Sequence, residues 1–171
     1  MPQSKGLRAV RHTSGYIRTS EVKGGIASGY NTDIFLGDPL KIAADGTYVR
    51  SDGAVVDGIF MGVHLVDSRN EYRVEKSWVA GTVTTDVKLL VATETSGLEC
   101  EISTDAAAPS NIVGKACNLT MTAGSHLNGS SAVVLNVASA ATPGTAVRVK
   151  GFSKKVGNVP GDVAILVVEI L

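Results

Sequence analysis

Residues 29–78 read GYNTDIFLGDPLKIAADGTYVRSDGAVVDGIFMGVHLVDSRNEYRVEKSW. Short apolar runs alternate with Asp-Gly pairs, and no helical period runs through the stretch. Asp38-Pro39 opens a strand, because proline is tolerated at a first strand position and not at a central one. Leu40, Ile42 and Tyr48 alternate with polar neighbours, as in a half-buried strand. Asp45-Gly46 between them is a hairpin signal, since tight primed turns need positive φ and this pair adopts it readily. Asp52-Gly53 and Asp57-Gly58 punctuate in the same way. Residues 59–66 form a longer apolar run broken by Gly62, where a bulge or sharp bend fits. Asp67-Ser68-Arg69-Asn70 turns the chain, and Tyr72, Val74 and Trp78 lie on the return. The pattern predicts a small β-barrel or β-sandwich.

Working outward, residues 83–92 give a further strand or two and residues 98–102 a short one. Residues 105–111 (DAAAPSN) read as a loop. Runs at 116–121, 132–137, 146–152 and 163–171 return to β pattern, separated by Gly124-Ser125, Asn128-Gly129, residues 139–144 and residues 153–161. The terminal run must pair within its own sheet or with a neighbouring subunit, because an open apolar edge invites aggregation. Residues 1–27 differ from all of this: Lys5, Arg8, Arg11, Arg18 and Lys23 face only Glu21. They read either as a loose tail or as an arm that orders on a partner. Leu7, Val10, Tyr16, Ile17 and Val22 favour the arm. The expected organisation is all-β: an extended basic N-terminal arm (1–27), a first β-barrel domain (28–93) and a second β domain (94–171).

The chain has 171 residues, zero formal net charge and only 19% charged residues. That length buries roughly two-thirds of the unfolded surface without disulfides. A neutral chain lacks the basic excess of a duplex binder, so nucleic acid is not an expected partner. Low net charge also favours self-association. No apolar run approaches the roughly 20 residues that cross a bilayer, and the N-terminus lacks the apolar core of a signal peptide. Cys100 and Cys117 therefore read as two free, buried thiols.

The sequence offers little chemistry. His12, His64 and His126 stand at no metal-ligand spacing, so no metal or cofactor is expected. Asp45, Asp52 and Asp57 each precede glycine, which suits turns better than calcium ligation or acid–base work. No Gly-x-Ser-x-Gly elbow, Walker A loop or Gly-x-Gly-x-x-Gly motif occurs. Nothing beside Cys100 would activate it as a nucleophile. Trp78 and Tyr72 read as core filling or as a partner-facing platform. The chain is not expected to be an enzyme.

Three motifs carry a resemblance: Arg8-Ala9-Val10-Arg11-His12, then Gly29-Tyr30-Asn31-Thr32-Asp33-Ile34-Phe35-Leu36-Gly37-Asp38, then Trp78-Val79-Ala80-Gly81-Thr82. In number and order they resemble a group of tailed-bacteriophage virion proteins, over roughly the first 95 residues. The resemblance implies a capsid decoration (cement) protein on the outer surface of the virion. It implies the major capsid protein as partner, self-association as a homotrimer, and an N-terminal arm that completes the capsid contact. Arg8, Val10, Arg11, His12, Tyr16, Arg18 and Lys23 would then be the capsid-binding residues. Two other readings stand beside it: a host-surface (glycan) or head-fibre-base module using the loops at 105–111 and 153–161, and a head–tail or tail ring protein.

Overall fold

The computed structural model describes residues 6–171; the first five residues of the expected arm, Lys5 among them, lie outside the described residues. The chain is all-β. Its strands are β1 (Arg8–His12), β2 (Ser20–Lys23), β3 (Ile34–Phe35), β4 (Pro39–Ile42), β5 (Tyr48–Arg50), β6 (Gly58–Asp67), β7 (Tyr72–Glu75), β8 (Ser77–Trp78), β9 (Thr84–Ala92), β10 (Leu98–Ala107), β11 (Ala116–Cys117), β12 (Leu119–Thr120), β13 (Val134–Leu135), β14 (Val147–Phe152) and β15 (Val163–Ile170). Two single 3-10 turns, Ser110–Ile112 and Ala138–Ala141, are the helical elements among the described residues.

The later part of the chain forms a seven-stranded sheet in the order β11-β14-β15-β10-β13-β12, with β1 also on β10. The two ends of that path, β11 and β12, are separated in sequence by Asn118 alone. Residues 116–120 therefore pair with β14 through one half and with β13 through the other, which curls the sheet into a nearly closed barrel. β15 runs between β10 and β14, so the apolar C-terminal run is a central strand of its own sheet. β10 is longer than its sequence suggests: residues 105–107, read as loop, continue the strand, and Ala107 lies opposite Val163.

The earlier part is an open six-stranded sheet, β2-β9-β6-β4-β5, with β7 on β6 beyond β4. The short β3–β8 ladder lies beside it. The barrel thus falls in the second unit, and the opening stretch builds the open sheet. Its turn chemistry follows the sequence. Asp45 Oδ1 accepts from the Thr47 N–H and hydroxyl, and Gly46 has φ +84° between β4 and β5. Gly62 marks a register shift against β9, at φ +137°. Asp57 differs: its carboxylate accepts the Ile42 N–H at 2.8 Å and Gly58 begins β6, so this pair joins strands and does not turn the chain.

Each unit has its own core. The barrel buries Cys100, Ile102, Val149, Leu166 and Val168, joined by Leu7, Val56, Ile59 and Ala92 from outside it. The open sheet buries Trp78 with Ile34, Phe60, Val63, Leu89 and Val91. Ile59 and Phe60 are adjacent on β6 and point to opposite faces, one into each core. The start of β6 is thereby a wall shared by both units.

Candidate partner-binding site

The expected arm is part of the body. β1 pairs with β10, placing Arg8 opposite Glu101 and Arg11 opposite Glu99. β2 pairs with β9 along Ser20–Val91 to Lys23–Lys88. Residues 8–12 and 20–23 are accordingly edge strands of the two sheets, and the segment between them spans the seam.

Three of the arm's cations, Arg8, Arg11 and Arg18, meet carboxylates of their own chain. Arg11 grips Glu99 through Nε and Nη2 at 3.1 and 2.8 Å. The hydrogen bond from Arg11 holds the Glu99 carboxyl below the usual glutamate range. Arg8 Nη1 lies 3.9 Å from Glu101, which also takes Lys155 at 2.7 Å and the Ser153 hydroxyl at 2.6 Å. Burial pushes the Glu101 carboxyl upward, and the bonds from Lys155 and Ser153 outweigh it, so the net shift is downward. Arg18 meets Glu94 at 3.1 Å. His12 bonds the Ser14 hydroxyl through Nδ1 and the Ser96 carbonyl through Nε2. Lys23 makes no ion pair among the described residues. The side chains of Arg8, Arg11 and Arg18 stay 62%, 72% and 68% exposed while making these pairs. Glu99 and Glu101 alternate along β10 on the face away from the core, across the ladder from Arg11 and Arg8, and Glu94 precedes the strand.

The arm also presents apolar side chains. Tyr16 is 74% exposed, its chain neighbour Ile17 and Val10 on β1 are exposed as well, and the Tyr16 ring makes no hydrogen bond among the described residues. Ile17 lines a groove of about 340 Å³ with Leu7, Ala9, Leu36, Met61 and Ser130, at the seam between barrel and sheet. Leu7 itself is buried and its N–H donates to the Gly37 carbonyl at 2.9 Å. Of the seven expected contact residues, Arg8 lines the groove, with its guanidinium 3.9 Å from Glu101; Val10 and Tyr16 are chain neighbours of the lining residues Ala9 and Ile17. Leu36 and Met61 escaped the sequence reading because they sit in strand patterns that look like ordinary core.

The seam is built from the motif residues. Trp78 is fully buried in β8, opposite Ile34, and its Nε1 donates to the Tyr30 carbonyl at 3.0 Å. The Ala80 N–H donates to Asp33 at 2.7 Å, which lowers that carboxyl; burial opposes it and His126, 3.1 Å away, adds to it. His126 also packs edge-on against Phe35. Asp38 is fully buried and pairs with Arg50 at 2.8 Å, while Arg50 Nη2 donates to the Thr122 carbonyl of the barrel unit at 2.6 Å. Asp38 Oδ1 has no hydrogen-bond partner among the described residues.

Elsewhere the chemical groups are ordinary. Cys100 and Cys117 are free and buried, and burial pushes the Cys100 thiol up to about 12, away from a reactive thiolate. His64 is a half-buried strand residue between Glu21 and Tyr72. Among the described residues no group of three or more His, Cys, Asp or Glu side chains is placed to hold a metal ion. No family model and no curated relative matches the chain.

Proposed function

We propose that this chain is a structural virion protein that binds the outer surface of a bacteriophage capsid and stabilises it, with the major capsid protein as its partner. The observation that carries the reading is the convergence of the three resemblance motifs. They are separated by up to 66 residues in sequence (12 to 78), yet Arg8 and Ala9 line one groove with Leu36 and Gly37, Leu7 just before them bonds Gly37, and Tyr30 and Asp33 hold Trp78 and Ala80. Residues with no catalytic logic that assemble into one scaffold are what a resemblance based on architecture requires.

The contact surface in this reading is the apolar strip of Val10, Tyr16 and Ile17 with the groove beneath it. The arm's arginines act by fixing that strip to the body. Apolar contacts repeated over many lattice copies supply binding without a single strong site. Cosedimentation of the protein with undecorated shells tests this. Tyr16→Ala with Ile17→Asp should abolish binding while the isolated protein keeps its melting temperature. Undiminished binding by that variant removes the strip from the proposal. Shells equally resistant to heat with and without the protein overturn the stabilising role.

A further inference from the structure

β7 is the least protected element of the molecule: all four of its residues are exposed, Tyr72 by 64% and Val74 by 62%. It pairs with β6 on one side only. The Asp67 N–H donates to the Glu71 carbonyl, so by antiparallel alternation Leu65 with Arg73 and Val63 with Glu75 are the bonded pairs further along. The backbone groups of Tyr72 and Val74 consequently point away from β6, onto an open edge. No proline interrupts this edge, and no bulge interrupts the β6–β7 ladder.

The geometry points to a second copy of this chain as the occupant of that edge, paired antiparallel through β7 about a two-fold axis at Val74. The sequence of the strand is complementary to itself in that register. With Val74 opposite Val74 of the partner subunit, Arg73 of each chain faces the partner subunit's Glu75, and the two free Val74 backbones exchange hydrogen bonds. Arg73 meets Asp67 at 3.0 Å and Glu71 at 3.4 Å of its own chain, whereas Glu75 makes no ion pair within its own chain among the described residues, so the pairing adds a counter-charge for Glu75 from an Arg73 that is 47% exposed. Sliding the partner by two residues sets Arg73 against Arg73 of the partner subunit and Glu71 against its Glu75, so charge disfavours that slip, and only the register at Val74 sets Val74 against Val74 of the partner subunit. Tyr72 and Val74 share one face of the strand. Each subunit's pair would join the partner's in one apolar patch, with His64 packed edge-on to Tyr72 beneath it. Such a contact joins two open sheets into one and is isologous, in contrast to the three-fold association implied by the resemblance.

This goes beyond shell binding and is read on the isolated protein, so either can fail alone. Sedimentation velocity of the full chain over a concentration series should give a species of twice the 17.6 kDa chain mass. Glu75→Arg should weaken it by about tenfold or more, because like charges then face each other twice. Mixing Glu75→Arg with Arg73→Glu should restore a heterodimer. As a second measure, Val74→Cys with a short bismaleimide should yield a cross-linked dimer, since Cys100 and Cys117 are buried and unreactive. A monomer at every concentration, a trimer, or a dimer indifferent to Glu75→Arg with no Val74 cross-link overturns the assignment.

Discussion

In the barrel, residues 116–120 close the sheet path onto itself; in the open sheet, β2, β5 and β7 each pair on one side only. The barrel core is the larger and is aliphatic apart from its two cysteines, whereas the open-sheet core is smaller and holds Trp78, Phe60 and Tyr48. Their edges differ as well. β5 is covered, because the Tyr48 N–H donates to the Gly25 carbonyl and the Arg50 N–H to the Tyr30 hydroxyl. β7 is not. Closure joins the two ends of the barrel's sheet path and leaves β1 as its single-sided strand among the described residues, whereas the open sheet keeps more of the backbone groups by which β proteins recognise one another. The difference assigns stability chiefly to one unit and contact chiefly to the other.

The strongest way to break that assignment is Trp78→Ala. The residue fills the open-sheet core from the seam, and its removal should cost about 3–5 kcal/mol. Hydrogen exchange should then speed up across residues 58–91 while amides of β14 and β15 keep their protection. Equal loss of protection in both units would show one cooperative core and erase the distinction.

Next in size is the link between the units. Arg50→Met leaves the Asp38 carboxylate buried without its cation and removes the bond to Thr122, a loss of about 3 kcal/mol. Adding Asp38→Asn should return a large part of it, because the uncompensated charge is gone. A double variant no more stable than Arg50→Met alone would mean that the Thr122 tether, not the ion pair, carries the energy.

Acid should also act unevenly. Asp33, Asp45, Asp52, Asp67 and Glu21 all lie in the open sheet or its turns with carboxyls held below their ordinary values of 3.8 and 4.5. The main causes are the N–H groups of Ala80, Thr47 and Glu71 for Asp33, Asp45 and Asp67, and hydrogen bonds from Lys41 and Lys88 for Asp52 and Glu21. Glu99 and Glu101 are their counterparts on the barrel. A depressed folded-state pKa gives stability that is full above the unfolded value and is lost as pH falls through the folded one. Stability should therefore be level near neutrality and fall below about pH 4.5, with the open sheet going first. The single tryptophan, Trp78, reports that sheet by fluorescence. Its transition should precede the loss of β signal in circular dichroism. Coincident transitions would contradict the order.

Much of this was legible in the residues, and the reasons are local. Asp45-Gly46, Gly62 and Asp67 to Asn70 fixed turn and bulge positions because positive φ and side-chain-to-backbone bonds act within a few residues. The strands at 59–66, 147–152 and 163–170 were legible from apolar pattern. What escaped was non-local. Nothing near Asn118 says that residues 116–120 bridge the ends of one sheet. Nothing in the arm says that Arg11 finds Glu99, 88 residues on. The arm looked free because its charges had no partner in sequence, and its partners came from another strand.

The smallest expected effect tests that last point. Arg18 and Glu94 meet at 3.1 Å with side chains 68% and 42% exposed. An exposed pair of this kind is screened by solvent and must restrain two long side chains, so Arg18→Ala should change stability by less than about 0.5 kcal/mol. The arm should stay in place, because backbone pairing of β1 and β2 and the buried Leu7 hold it independently of that charge. Amide exchange in residues 8–12 and 20–23 measures this directly. Unchanged protection would assign attachment of the arm to its ladders and to Leu7. Faster exchange of β2 alone would instead make Arg18 the clasp at the seam, and the open sheet would then have one more edge released by a single surface charge.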